Sequence, residues 1–209
     1  MSNPDFRFGL RPIGHIDGSP WNGRTVRCQV VDGNNLFIGD PVVLAGSADT
    51  LATAPTIAKA SAGNTNPIAG VVTSFEPVAP GTHSNINLQQ IYRTASIDTY
   101  ANVVMDPTVL YEVQGDTSAV IAATDVGSNA DLVYTHAGDT TTGLSGVELN
   151  ASAKATTSSY QVKIMGASKD PSNDISAVNA RWVVLINLNQ LFSAGVNTVG
   201  TAVAGGVGV

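Results

Sequence analysis

The chain has 209 residues, 43% of them hydrophobic but only 12% charged, with a net charge of −6. That length holds one all-β domain or two small ones with a real core, and the charged fraction is about half the roughly 25% usual in soluble domains. Such a composition argues against a disordered, self-repelling chain. It leaves Thr, Ser, Asn and Gln to make the polar surface, as suits a protein packed against others.

The charge is uneven. Residues 1–28 carry Arg7, Arg11, Arg24 and Arg27 against Asp5 and Asp17, and the remainder carries six basic and fourteen acidic residues. A mildly basic arm therefore precedes an acidic body. No Lys/Arg cluster is suited to tracking phosphates, so no nucleic-acid partner is expected. Cys28 is the single cysteine, which rules out an intrachain disulfide and a Cys-based zinc site and reads as a small buried hydrophobe. Met1-Ser2-Asn3-Pro4-Asp5 has no basic stretch leading into an apolar one, and no apolar run approaches the ~18 residues of a membrane span. The expectation is synthesis in a cytoplasm without entry into a membrane.

Residues 1–27 read as an extended N-terminal arm. Phe6, Phe8, Leu10 and Trp21 are spaced among Pro4, Pro12, Pro20, Gly9, Gly14, Gly18 and Gly23, a density of breakers that forbids a helix. These side chains either fold back on the chain's own core or anchor on a neighbouring subunit, with Arg7 and Arg11 finding carboxylates there. The interface set expected is Phe6, Arg7, Phe8, Arg11 and Trp21.

Residues 28–192 read as a β-rich body, with a break near 98–106 that allows two subdomains. Thr25–Val31 alternates, and Asp32-Gly33-Asn34-Asn35 is a turn by composition. Leu36–Ile38 is a short apolar run, Val42–Leu44 a strand, and Thr56–Lys59 the centre of one strand within 50–60. Ile68–Phe75 is a strong strand, and residues 87–97 form a weaker one. The segment Val103-Val104-Met105-Asp106-Pro107 stops an apolar run at a turn pair. Val109, Tyr111 and Val113 then alternate with Leu110, Glu112 and Gln114, a period of two. Further on, Ala119–Ala122 is short, and Leu132–Tyr134 and Val147–Leu149 are strands. Tyr160, Val162 and Ile164 share one face of another. Arg181–Leu188 is the most hydrophobic, expected to be central and covered on both faces. Residues 193–209 form a Gly/Ala/Val-rich C-terminal tail, read either as a frayed terminus or as a segment that orders on a partner. Short strands separated by turns, without an amphipathic helix, predict an all-β fold, a β-sandwich or partly open β-barrel.

No convergent reactive groups stand out. His15, His83 and His136 sit in loops without metal-ligand spacing. Ser145, His136 and Asp131 make a triad only on paper, since Gly143-Leu144-Ser145-Gly146 lacks the strained elbow that exposes a nucleophile. The best ion candidate is Asp125-x-Gly127-x-Asn129-x-Asp131. Oxygen ligands at alternate positions suit calcium, but the order of Gly and acid is wrong and no terminal Glu follows. Neither a metal, a cofactor nor enzymatic activity is expected.

Phe8-Gly9-Leu10-Arg11-Pro12, then His15-x-Asp17-Gly18-Ser19-Pro20-Trp21-Asn22-Gly23, then Ile38-Gly39-Asp40-Pro41-Val42, resembles the N-terminal region of capsid decoration, stabilising or cement proteins of tailed bacteriophages. Asp106-Pro107 with Tyr111-Glu112-Val113-Gln114, and Asp125-x-Gly127-x-Asn129-Ala130, look like the middle of that group. Ala180-x-Trp182-Val183-Val184-Leu185-Ile186-Asn187 looks like its C-terminal strand. Gly39–Leu44 followed by Pro67–Val72 is also similar to the lambda-type head decoration family, which this chain exceeds in length. The resemblance implies a structural protein on the outer capsid surface of a virion, made in a bacterial host. Its implied partners are the major capsid protein and further copies of itself, as a homotrimer. The competing readings are another virion part, such as a tail or fibre component, and a carbohydrate-binding β-sandwich. The first would show repeats that are not found, and the second an aromatic platform that 6% aromatic residues hardly supply.

Overall fold

A computed structural model describes residues 2–77 and 89–192. It is all-β, with eleven strands in two sheets, one of which closes into a small barrel. The barrel contains β2 (Val26–Val30), β3 (Pro41–Ala48), β4 (Pro55–Lys59), β5 (Gly70–Phe75) and β6 (Thr99–Val104), in the order β2-β4-β3-β5-β6. Its only parallel pair is β2 with β4, and β6 returns antiparallel to β2 to complete it. Closure removes the open edges that β-strands otherwise present to other chains.

The second sheet contains β1 (Arg11–His15), β7 (Val109–Gln114), β8 (Asn129–Val133), β9 (Glu148–Ala155), β10 (Val162–Ala167) and β11 (Arg181–Ile186). Its order is β1-β7-β11-β10-β8-β9, antiparallel throughout. The chain leaves the barrel at Val104 and enters the sheet at Val109, across Asp106-Pro107.

The period-two segments fold as their patterns require. In β7, Val109, Tyr111 and Val113 point into the core. In β11, Trp182, Val184 and Ile186 do the same, while Arg181, Val183 and Leu185 are half-buried on the other face. That strand is central, as expected, but its second face is covered only in part. The barrel interior is filled by Cys28, Val30, Leu36, Val42, Ile57, Val72, Ala101 and Val103. The larger core joins the sheet to the barrel, because Ala60, Ile68, Val71 and Val104 from the barrel side pack with Leu10, Tyr111, Leu132 and Trp182.

One side chain fastens that joint. Gln161 is fully buried. Its amide N–H groups donate to the carbonyls of Ser61 (2.9 Å) and Asn66 (3.0 Å), while its Oε1 accepts the N–H of Gly63 (2.9 Å) and of Leu132 (3.2 Å). All four hydrogen-bonding positions of the amide are used, and they tie the loop after β4 to the start of β10.

Three sequence expectations are corrected. The arm over residues 1–27 does not stand apart. Arg11–His15 is the edge strand β1 paired with β7, and Phe8 and Leu10 are buried, at 8% and 1% exposed. Gly9 and Gly39, at φ +71° and +91°, press their backbones together so closely that a Cβ on Gly39 would lie 2.6 Å from the Phe8 carbonyl oxygen. The described part of the 87–97 segment, residues 89–97, forms no strand and makes a single bridge, Arg93 with Leu36. Here Arg93, 1% exposed, turns inward to Asp32 Oδ1 (2.9 Å) and the carbonyls of Asn34 and Ile97 (2.7 Å each), which is incompatible with an alternating strand. Ala119–Ala122 leads into a short 3₁₀ turn at Ala123–Asp125 rather than a strand. The C-terminal tail, residues 193–209, lies outside the described residues.

Candidate functional site

The surface most distinctive in this molecule is built around residues 3–7. Asn3 donates from Nδ2 to the carbonyls of Asp174 (2.8 Å) and Val178 (3.0 Å), and its Oδ1 accepts the Asp174 N–H (2.9 Å). Gln114, buried at the end of β7, accepts the Phe6 N–H at 3.0 Å and donates to the Pro4 carbonyl at 2.7 Å. Two side-chain amides therefore fix the backbone of this segment. Its largest side chain, Phe6, nevertheless remains 60% exposed. Phe6 forms part of the wall of two grooves of about 290 Å³ each, one toward Arg11 and Arg181, the other toward Asp139 and Leu144.

A wider hollow of about 540 Å³ lies on the outer face of the sheet beside β1, lined by Ile13, Leu110 and Val183 with Glu112 and Ser168. Asp170 borders both this hollow and the first groove. Ile13 and Ile16, 44% and 53% exposed, extend the apolar surface along the same N-terminal stretch. An exposed aromatic and two exposed branched aliphatic side chains thus stand along this stretch.

The expected interface residues divide into two groups. Phe6 is presented to solvent. Phe8 is buried under the guanidinium of Arg11, which lies 4.9 Å from its ring centre, and Trp21 is half-buried against the sheet core. These two serve the chain's own fold. Both arginines find carboxylates within the chain, Arg7 with Asp5 (3.0 Å) and Arg11 with Glu112. Glu112 also accepts the Ser168 hydroxyl, so Arg11 completes a local network on the outer face of the sheet.

The chemistry-bearing residues are dispersed. His15 meets Thr108 Oγ1 at 3.0 Å, His136 lies 3.9 Å from Glu148, and His83 falls outside the described residues. Ser145 is 1% exposed and hydrogen-bonded to Asp40, while Asp131 accepts the backbone N–H of Gln161, so Ser145, His136 and Asp131 form no relay. The side chains of the calcium candidate sit in separate contacts. Asp125 pairs with Lys154 (2.9 Å) and accepts the Ala122 N–H, while Asn129 Nδ2 donates to the Thr157 carbonyl. Asp125 and Asp131 are thus engaged by different groups, while Asn129 Oδ1 is buried and has no hydrogen-bond partner among the described residues. Among the described residues no group of three or more His, Cys, Asp or Glu is placed to hold a metal ion.

Sequence reasoning missed a buried polar cluster where barrel and sheet meet. Asp40, fully buried at the start of β3, accepts the Ser145 hydroxyl, the Phe37 N–H (2.9 Å) and the Lys59 ammonium (3.1 Å). That ammonium also lies 4.3 Å from the centre of the Tyr134 ring. Burial pushes the Asp40 carboxyl above its ordinary range, and the Lys59 charge and the hydrogen bonds from Ser145 and Phe37 act against it. Gly39-Asp40-Pro41 carried a signal for a turn, but nothing in sequence pointed to Ser145 as the partner, 105 residues away. Asp40 thus ties the start of β3 to Lys59 of β4 and to Ser145 in the segment before β9, a polar contact between the barrel and the second sheet.

Comparison with protein-family models, with curated proteins and with solved structures finds no match to this chain.

Proposed function

We propose that the protein is a structural virion component that binds the outer surface of a tailed-phage head. It bridges neighbouring major capsid subunits as a homotrimer and stabilises the expanded shell. The resemblance of its Gly/Pro-rich motifs to capsid decoration proteins suggests this reading. The observation that carries it is Phe6, an aromatic side chain held out to solvent by a backbone that Asn3 and Gln114 fix in place. A rigid, exposed aromatic loses little conformational freedom when a partner covers it. Ile13 and Ile16 widen the contact, while Arg7 and Arg11, already paired within the chain, contribute little further affinity.

The mechanism is mechanical. Each copy buries surface on more than one capsid subunit, so a ligand of the expanded shell stabilises that shell by mass action. Full burial of an aromatic is worth roughly 1.5–3 kcal/mol; Phe6 is already partly covered and supplies the lower part of that range.

Sedimentation of purified protein with expanded heads tests the reading. Wild-type protein is expected to pellet with expanded heads, and Phe6→Ala to bind about tenfold more weakly, equivalent to roughly 1.4 kcal/mol, with its melting unchanged. Phe8→Ala, in contrast, is expected to lose about 3–5 kcal/mol of folding stability. Wild-type protein left in the supernatant, or Phe6→Ala pelleting like wild type, would overturn the proposal.

A further inference from the structure

Asn-Gly occurs once in the sequence, at Asn22-Gly23. Both residues are exposed, in the link between half-buried Trp21 and the start of β2 at Val26. The side-chain Oδ1 of Asn22 accepts the Arg24 N–H at 3.2 Å, which bends the side chain back along its own backbone and draws electron density from Cγ. The Gly23 N–H has no hydrogen-bond partner among the described residues. A Cβ built on Gly23 would meet nothing within 4 Å, so the residue stands in open space, and glycine itself has no side chain to hinder ring closure. A polarised carbonyl and a free backbone N–H thus lie on adjacent, exposed residues.

We infer that Asn22-Gly23 is a site of spontaneous deamidation, a covalent change driven by water alone. The Gly23 backbone nitrogen gives its proton to water or hydroxide and forms a bond to Asn22 Cγ. The side-chain nitrogen takes a proton and leaves as ammonia, closing a five-membered succinimide. Water then opens the ring. Attack at Cγ breaks the new bond and yields aspartate. Attack at the Asn22 backbone carbonyl breaks the original peptide bond and yields isoaspartate, with the chain rerouted through Cγ.

Either product places a negative charge beside Arg24, in the one stretch of the molecule with excess positive charge. The isoaspartate product also lengthens the link between Trp21 and the barrel by one methylene. Several other asparagines are protected in different ways. Asn3 and Asn66 precede proline and face no N–H nucleophile. Asn129, Asn179 and Asn189 are buried. Asn34 and Asn150 precede residues whose side chains hinder ring closure.

The test is incubation of the full-length protein in mildly alkaline buffer, followed by peptide mass mapping and enzymatic methylation of isoaspartate. The peptide holding Asn22 is expected to convert from amide to acid about tenfold faster than those holding Asn34 or Asn150, with isoaspartate as the main product. Asn22→Gln, which leaves the backbone unchanged, is expected to abolish the conversion, and Gly23→Ala to slow it. An Asn22 peptide that stays intact in the folded protein while converting after denaturation would overturn the inference. Conversion at the same rate as Asn34 and Asn150 would do so too.

Discussion

Two residues show how local surroundings set the sign of an effect. Tyr111 is fully buried in β7, its hydroxyl has no hydrogen-bond partner among the described residues, and burial pushes its ionisation well above the ordinary range. Removing an unpartnered buried hydroxyl relieves a desolvation cost, so Tyr111→Phe is expected to stabilise the fold by about 1 kcal/mol in urea unfolding. Asp49 is the opposite case. It accepts hydrogen bonds from the Thr53 hydroxyl and N–H, the Ala54 N–H and the Tyr100 hydroxyl, and these bring its carboxyl from 3.8 down to about 2. A carboxyl with a lower value in the folded than in the unfolded state stabilises the fold above the unfolded value. That contribution is lost as pH falls through the folded one. Stability should therefore drop between about pH 4 and pH 2. Asp49→Asn, measured by urea unfolding across this range, is expected to flatten the drop.

At the scale of elements, legibility followed periodicity. β7, β10 and β11 were readable because an apolar side chain stands at every second position and one face of each is buried. β1 was not, because Pro12 and Gly14 read as breakers. The structure tolerates both in an edge strand with an irregular register between them, where a missing ladder bond costs little. Strand order was hidden too, since the pairing of β2 with β4 and of β1 with β7 is decided by contacts distant in sequence. The same limit applied to the interaction surface. Phe6 and Phe8 look alike in sequence, and only the approach of Gly9 to Gly39 shows that Phe8 is buried while Phe6 is free. Gln161 gave no signal at all, yet it holds the loop after β4 against β8 and β10. Gln161→Ala is expected to cost about 2–4 kcal/mol in chemical unfolding, because two carbonyls and two N–H groups are left without partners.

Across the whole molecule, a closed barrel and a six-stranded sheet share one core, and polar contacts from Asp40 and Gln161 lock them together. Charge is sparse, Arg7 and Arg11 are paired with carboxylates of the same chain, and the exposed apolar groups nearest the grooves come from the N-terminal stretch. Electron cryomicroscopy of expanded heads incubated with the purified protein addresses the proposal most directly. Density is expected on the outer shell at local threefold positions, each copy touching more than one major capsid subunit, with Phe6 in the contact. Bare shells, or density confined to the tail, would contradict it.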